Sequence, residues 1–354
     1  MKKTKVLIYV PQLLETGGIE SHIKEFSRNF VHPTFELYLL VANFKGDKET
    51  KKHYQSICKK VYLIHNKNAF YRLLNLFVIS FVLKFEHFNF LYTNGQGKSI
   101  YLLKKILGNG PKWIHHHHTS GDSEDQKTWP NEYQIVMKTC DTLIACAEPN
   151  AIDILNCTKR NVMVVPCFSM QLNSKKYDSQ SVGKIKLGYF GRLIKEKGVD
   201  LICQLSVDSD LSDIEFYIWG KGEDYPPSFF NPYKISYMGH FSSKQELNSV
   251  IEQIDGFILL SQHPEGLPIS LLEVMSSGLP WLATNRGGIK SLSTDPNLNF
   301  LLPFQSDYEE TKKSLLTFSR KIKLGNSNKE NQINKYLSTY SSEVILKQWE
   351  TIFS

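Results

Sequence analysis

The 354-residue chain is long enough for two domains, and with 41% hydrophobic and 22% charged residues it is globular, neither disordered nor fibrous. Its net charge of +7 is uneven: residues 1–112 hold 18 Lys+Arg against 7 Asp+Glu, a balance of +11, and the remainder holds 24 against 28, a balance of −4. No apolar stretch approaches the ~20 residues of a membrane-spanning helix, residues 6–10 are too short an apolar core for a secretory signal, and six cysteines with no C-x-x-C pair predict reduced thiols in a cytoplasmic protein, not a zinc ribbon.

Residues 5–10 form an apolar run closed by Pro11, the pattern of a buried parallel strand. Gly17-Gly18 follow in a loop, and apolar positions three to four apart over residues 19–26 predict a helix. Further strands are predicted at 35–41, 61–64, 90–93, 112–115, 142–146 and 162–166. The apolar run at 73–83, broken by Asn75 and Ser80, is predicted as a core helix, the alternative being apolar side chains exposed toward an anionic bilayer, with the lysine clusters Lys51/Lys52/Lys59/Lys60 and Lys104/Lys105 on either side of it in sequence. Polar residues 171–184 read as a linker. A second series of strands then runs through 185–190, 215–219, 235–238, 256–260, 280–284 and 300–302. Strands alternating with helical stretches predict an α/β protein of two doubly wound, Rossmann-like domains facing a central cleft, with ligands at the carboxyl ends of the strands.

The chemistry-bearing residues follow predicted strands. Glu265 and Glu273 lie in His263-Pro264-Glu265-Gly266-Leu267-Pro268-Ile269-Ser270-Leu271-Leu272-Glu273, where Gly266 and Pro268 suit a turn and the next residues a helix. Two carboxylates so placed can accept hydrogen bonds from the hydroxyls of one extended ligand; the plainer alternative is a surface helix with two solvated acids. Arg192 and Lys197, in Gly188-Tyr189-Phe190-Gly191-Arg192-Leu193-Ile194-Lys195-Glu196-Lys197-Gly198, sit between a strand and a helix start, a setting that suits phosphate oxygens. Gly17 and Gly18 occupy the first strand-to-helix turn, where backbone can approach an anion. His115, His116, His117 and His118 end a strand. Alternate residues of a strand share a face, so His115 with His117, or His116 with His118, are possible co-ligands of a metal, with Asp122 or Asp125 as a third; the expectation is nevertheless that no metal is bound. Asp208-Ser209-Asp210 falls in a polar loop and reads as a connecting turn.

These motifs, in this order, resemble the retaining glycosyltransferases of family 4, the two-domain GT-B group. The resemblance spans nearly the whole chain and is strongest over residues 185–290. It implies that Glu265 faces the donor sugar, Glu273 holds the nucleotide ribose, Arg192 and Lys197 neutralise the donor diphosphate, and Gly17 and Gly18 lie against it. By the same resemblance Gly266 and Leu267 belong to the donor loop, Met238 to the place where backbone meets the base, and His118 or His117 to the sugar contact from the first domain. Domains of 1–170 and 185–335 are implied, with a C-terminal helix at 336–354 returning to the first. Ser291 departs from the family pattern, which commonly has an acid there, so residues 289–291 receive no role. The implied activity is metal-independent transfer of a sugar from a nucleotide-diphosphate donor, UDP-linked, to a saccharide acceptor, lipid-linked, in bacterial surface-polysaccharide assembly. No cofactor and no nucleic acid are expected. The basic first domain suggests an anionic membrane surface as a further partner. A nucleotide-sugar epimerase of the same architecture and a non-enzymatic sugar-nucleotide-binding protein are the alternatives.

Overall fold

The computed structural model describes residues 3–30, 34–65, 68–174, 183–241, 243–325 and 329–354. The chain divides into two compact units, Met1–Phe168 together with Ile345–Ser354, and Ser169–Val344. In chain order the first unit contains β1 (Thr4–Val10), α1 (Gly18–Asn29), β2 (Phe35–Val41), α2 (Lys48–Ile57), β3 (Lys60–Leu63), α3 (Ala69–Lys84), β4 (Phe90–Asn94), α4 (Lys98–Leu107), β5 (Lys112–His117), α5 (Ser123–Gln126), α6 (Asn131–Thr139), β6 (Thr142–Ala145), α7 (Glu148–Thr158) and β7 (Met163–Val164). The second contains β8 (Ile185–Phe190), α8 (Val199–Ser206), β9 (Ile214–Trp219), β10 (Ile235–Tyr237), α9 (Lys244–Gln253), β11 (Gly256–Leu259), α10 (Ile269–Ser277), β12 (Trp281–Thr284), β13 (Asn299–Leu302), α11 (Tyr308–Leu324) and α12 (Lys329–Thr339); α13 (Ser342–Ile352) ends in the first unit. Most of the predicted linker, residues 175–182, lies outside the described residues.

Both sheets are parallel, ordered β3-β2-β1-β4-β5-β6-β7 and β10-β9-β8-β11-β12-β13. In each, the strand order reverses once, between β1 and β4 and between β8 and β11. That reversal leaves a crevice at the carboxyl ends of the two strands, because the following loops diverge to opposite sides. Strand alternation builds the core of the first unit. Val6, Ile8 and Val10 join Leu37, Leu39 and Val41 on one face, while Leu7 and Tyr9 join Tyr38 and Leu40 on the other. Ile345, Trp349, Ile352 and Phe353 of the C-terminal segment complete the first of these layers. Trp349 meets Phe26 and Tyr92 edge-on, with centroids 5.1 and 4.6 Å apart.

Two expectations change. The terminal helix expected over 336–354 is two helices, α12 and α13, broken near Tyr340; Tyr336 remains in the second unit, where its hydroxyl meets Ser169 Oγ at 3.2 Å. The predicted core helix at 73–83 is α3, and it is not a core helix. Only Leu76, Ser80 and Leu83, one helical stripe, are buried. Phe77, Val78, Phe81 and Val82 are 50–53% exposed, and Phe70 and Phe85 at its two ends more so. Apolar residues occur on every side of α3, and one stripe is all that the rest of the unit covers.

Candidate functional site

In the second unit Arg192, Lys197 and Glu265 gather at the β8/β11 reversal. Arg192 follows β8, half-buried, with its carbonyl accepting from the Tyr189 hydroxyl at 2.7 Å. A 3-10 turn over Lys195–Lys197 leads into Gly198, at φ 76°, and then α8. Gly198 is obligatory there, since a Cβ would stand 2.1 Å from the Leu260 carbonyl oxygen. The loop after β11 packs onto this turn: the amides of Gln262 and His263 both donate to the Glu196 carbonyl, at 2.7 and 3.0 Å. The same close approach fixes Gly220, directly after β9, where a Cβ would lie 2.0 Å from the Gly191 carbonyl oxygen.

Glu265 lies in this loop, 5% exposed. Lys197 Nζ donates to its Oε1 at 2.5 Å, as does Ser261 Oγ at 2.5 Å. Burial pushes the Glu265 carboxyl up, but the Lys197 ammonium first, then His263, and the hydrogen bonds from Lys197 and Ser261 leave it below its ordinary value. The side chain is thus a buried carboxylate. His263 Nδ1 is 4.0 Å from its other oxygen and has no hydrogen-bond partner among the described residues; burial keeps that imidazole's pKa below the usual value. Gly266 and Leu267 are buried, and the Gly288 amide donates to the Glu265 carbonyl at 3.3 Å. Glu273 is in α10, which begins after Pro268, and is 5% exposed on a helix whose other described residues are nearly all buried. Met238 extends the edge beyond β10; its amide donates to the Ile218 carbonyl at 2.9 Å and its side chain is exposed.

Three residues of this site carried no role in the sequence: Ser261, His263 and Arg286. Arg286 is 9% exposed, donates to the Gln262 carbonyl, and stacks over the Phe304 ring at 4.5 Å. Arg286 follows β12 and precedes Gly287-Gly288, and only the loop packing shows what the arginine holds. Asp208 and Asp210 form the expected turn, closed by Lys312 at 3.4 and 3.2 Å.

In the first unit, Gly17 precedes α1 and its carbonyl accepts from Ser21 N at 3.0 Å; a Cβ on Gly18 would meet nothing within 4 Å, so packing does not require that glycine. Glu20 Oε1 accepts from the Leu14 amide at 2.8 Å and pins the loop. The histidine run alternates as a strand must. His115 and His117 face α6, each with a ring nitrogen on the Tyr133 hydroxyl, at 2.8 and 2.7 Å. His117 Nε2 meets Asp125 Oδ2 at 3.1 Å, and His117 is fully buried. His116 and His118 lie on the other face: His116 Nδ1 is 3.0 Å from the Tyr92 hydroxyl, and His118 Nε2 is 2.9 Å from Asn94 Oδ1. Burial holds His115 and His116 well below the ordinary histidine pKa, so both are neutral. The expected sugar contact from His117 or His118 does not follow from this geometry. Both nitrogens of each ring already meet neighbours, and His117 has no exposed atom.

Residues 173–335 match the sequence profile of the family described as glycosyl transferases group 1. The chain is 24% identical to an uncharacterized glycosyltransferase, MJ1069, of Methanocaldococcus jannaschii, over 100% of this chain and 99% of that protein. Its fold is similar to Anabaena Alr3699/HepE in complex with UDP-glucose, at TM-score 0.74 and 14% identity, covering 98% of this chain and 99% of that one. It is also similar to the apo form of WaaB, a lipopolysaccharide outer core galactosyltransferase, at TM-score 0.71 and 16% identity, covering 98% of both chains. The chain thus has the GT-B fold of these glycosyltransferases, and its residues 173–335 match the group 1 profile.

Proposed function

We propose that the protein is a retaining hexosyltransferase that moves a sugar from a UDP-linked donor to a hydroxyl of a lipid-linked saccharide, in the assembly of a bacterial surface polysaccharide. The observation that carries this reading is the buried Glu265 carboxylate, gripped by Lys197 and Ser261 at the sheet reversal of the segment that matches the group 1 profile. A carboxylate held ionised and dry accepts strong hydrogen bonds from sugar hydroxyls. Lys197 and Arg192 lie on the adjoining loop, where cations stabilise the charge that grows on the diphosphate as the glycosidic C–O bond breaks. Glu273, farther along α10, takes the ribose hydroxyls. The acceptor oxygen bonds to the anomeric carbon on the face the diphosphate leaves, and its proton passes to the departing phosphate oxygen. No metal acts in the transfer. The likeness to a UDP-glucose complex and to a lipopolysaccharide enzyme supports the donor and the pathway.

A lipid-linked acceptor requires a membrane surface, and α3 fits one. No helix among the described residues is long and apolar enough to cross a membrane. An exposed apolar helix face in a segment of balance +11 suits interfacial binding to an anionic bilayer instead.

Incubation with a panel of nucleotide-sugars, with and without polyprenyl-diphosphate saccharides in vesicles, tests the reading. The expected product is an acceptor glycoside whose anomeric configuration, read by NMR, equals that of the donor. Inversion, or donor conversion that never needs an acceptor, would overturn it.

A further inference from the structure

On the far side of the histidine run from Tyr133, four ligand-type side chains converge. His116, the penultimate residue of β5, and His118, just past its end, meet Cys146, the residue after β6, and Cys167, three residues after β7. Three adjacent parallel strands thus each deliver a ligand at the carboxyl end. One ligand atom from each residue lies within 4.8 Å of all the others. Cys146 Sγ stands 3.4 Å from His116 Nε2, 3.7 Å from His118 Nδ1 and 3.5 Å from Cys167 Sγ, and Cys167 Sγ is 3.3 Å from His118 Nδ1. A tetrahedral zinc with ordinary Zn–S and Zn–N bonds has ligand-to-ligand edges of about 3.3–3.8 Å. Four of the six edges already have that length, and the two from His116 to His118 and to Cys167 lie within 4.8 Å.

We propose that His116, His118, Cys146 and Cys167 form a structural site for a tetrahedral, thiophilic divalent ion of the zinc type. Four protein ligands close the coordination sphere, which is the mark of a structural rather than a catalytic zinc. His116, Cys146 and Cys167 are at most 4% exposed, and His118 is half-buried. Both imidazoles have outer partners of the kind that orient a ligating ring: His116 Nδ1 rests on the Tyr92 hydroxyl and His118 Nε2 on Asn94 Oδ1. Ligation needs the His116 proton on Nδ1, against the Tyr92 oxygen, which can accept it. The site also has a mechanical purpose. β7 has only two residues in the ladder, and a metal would fasten the chain that follows it to β5 and β6. Binding energy at such a site becomes folding energy.

The test needs neither donor nor acceptor, so its result is independent of the transferase reading. Full-length protein purified without chelator or metal-affinity resin is assayed by elemental analysis. About one zinc per chain is expected, and at least tenfold less in Cys146→Ser, Cys167→Ser and His118→Ala, with no loss in Cys157→Ser, whose thiol is exposed and is not one of the four ligands. Should the buried variants fail to fold, the wild type decides alone. A mercurial thiol reagent should release its zinc to a chromogenic chelator. Cobalt loaded in its place should show the visible bands of a tetrahedral ion and thiolate charge transfer in the near ultraviolet. Folded wild type that carries no zinc and gives no cobalt spectrum would overturn the proposal. So would metal that persists in the Cys146/Cys167 double variant, or a Cys146–Cys167 disulfide in the freshly isolated protein.

Discussion

Helices α3 and α10 are both strongly apolar, yet they have opposite fates. α10 is buried on all sides, with Leu271, Leu272, Val274 and Met275 fully inaccessible. α3 buries one stripe and leaves Phe77, Val78, Phe81 and Val82 about half exposed. Composition does not separate them; position does. α10 follows β11, an interior strand of its sheet, and packs beside α12 and below the Glu265 loop. α3 follows β3, the edge strand, where few elements remain to cover an outer face. An apolar helix at a sheet centre is core, and one that connects from an edge can remain a surface. An exposed apolar face of this kind is what the proposed membrane contact would use.

The sharpest break of this comparison is a charge on each helix. Val274→Asp places an unpaired carboxylate in the core and should cost more than about 4 kcal/mol, seen as loss of the cooperative thermal transition. Phe77→Asp with Phe81→Asp should change stability by less than about 1 kcal/mol in total while lowering sedimentation with anionic vesicles at least ~10-fold. If the α3 pair unfolds the protein, or leaves vesicle binding intact, the difference between the helices is not one of exposure.

The next effect concerns the loop above α10. Lys197→Ala removes the cation and strands the buried Glu265, so kcat should fall by roughly 10- to 1000-fold, with a stability loss of about 3–5 kcal/mol. Arg192→Ala should lower kcat within the same range, without that stability loss. Activity within about twofold of wild type in both would sever the loop from the diphosphate. Glu273→Ala should weaken nucleotide binding more than it slows bound turnover, because ribose hydroxyls are held equally in ground and transition states. Calorimetry with UDP decides this, and an unchanged Kd removes Glu273 from the site.

The smallest effect is in acid. The Glu265 carboxyl lies below its unfolded value of 4.5, so its stabilising contribution is present above that pH and is lost as pH falls through the folded value. Glu265→Gln should therefore flatten the acid limb of stability against pH below about 4.5. An unchanged limb would mean that Glu265 is not held ionised.

Much of the site was legible because its residues are local to strand ends. The predicted strands recur close to their expected positions, and the loops after β8 and β11 carry Arg192, Lys197 and Glu265 as their spacing implied. Residues whose roles depend on partners far along the chain were not legible. Ser261 and Arg286 matter only once the β8 and β11 loops pack. Cys146 and Cys167 lacked any paired spacing, so nothing linked them to the histidines 28 to 51 residues away.

By itself the sequence determined the alternating elements, the parallel sheets, the two-residue alternation that separates His115 and His117 from His116 and His118, and the glycines where strands turn into helices. These depend on patterns a few residues long, which backbone geometry translates directly. The tertiary structure alone decided that α3 stays exposed, that Lys197 meets a carboxylate 68 residues away, and that two thiols and two imidazoles share one cluster. Strand order sets those outcomes, because it brings distant loops to the same edge of a sheet, and no local pattern records which loops will meet.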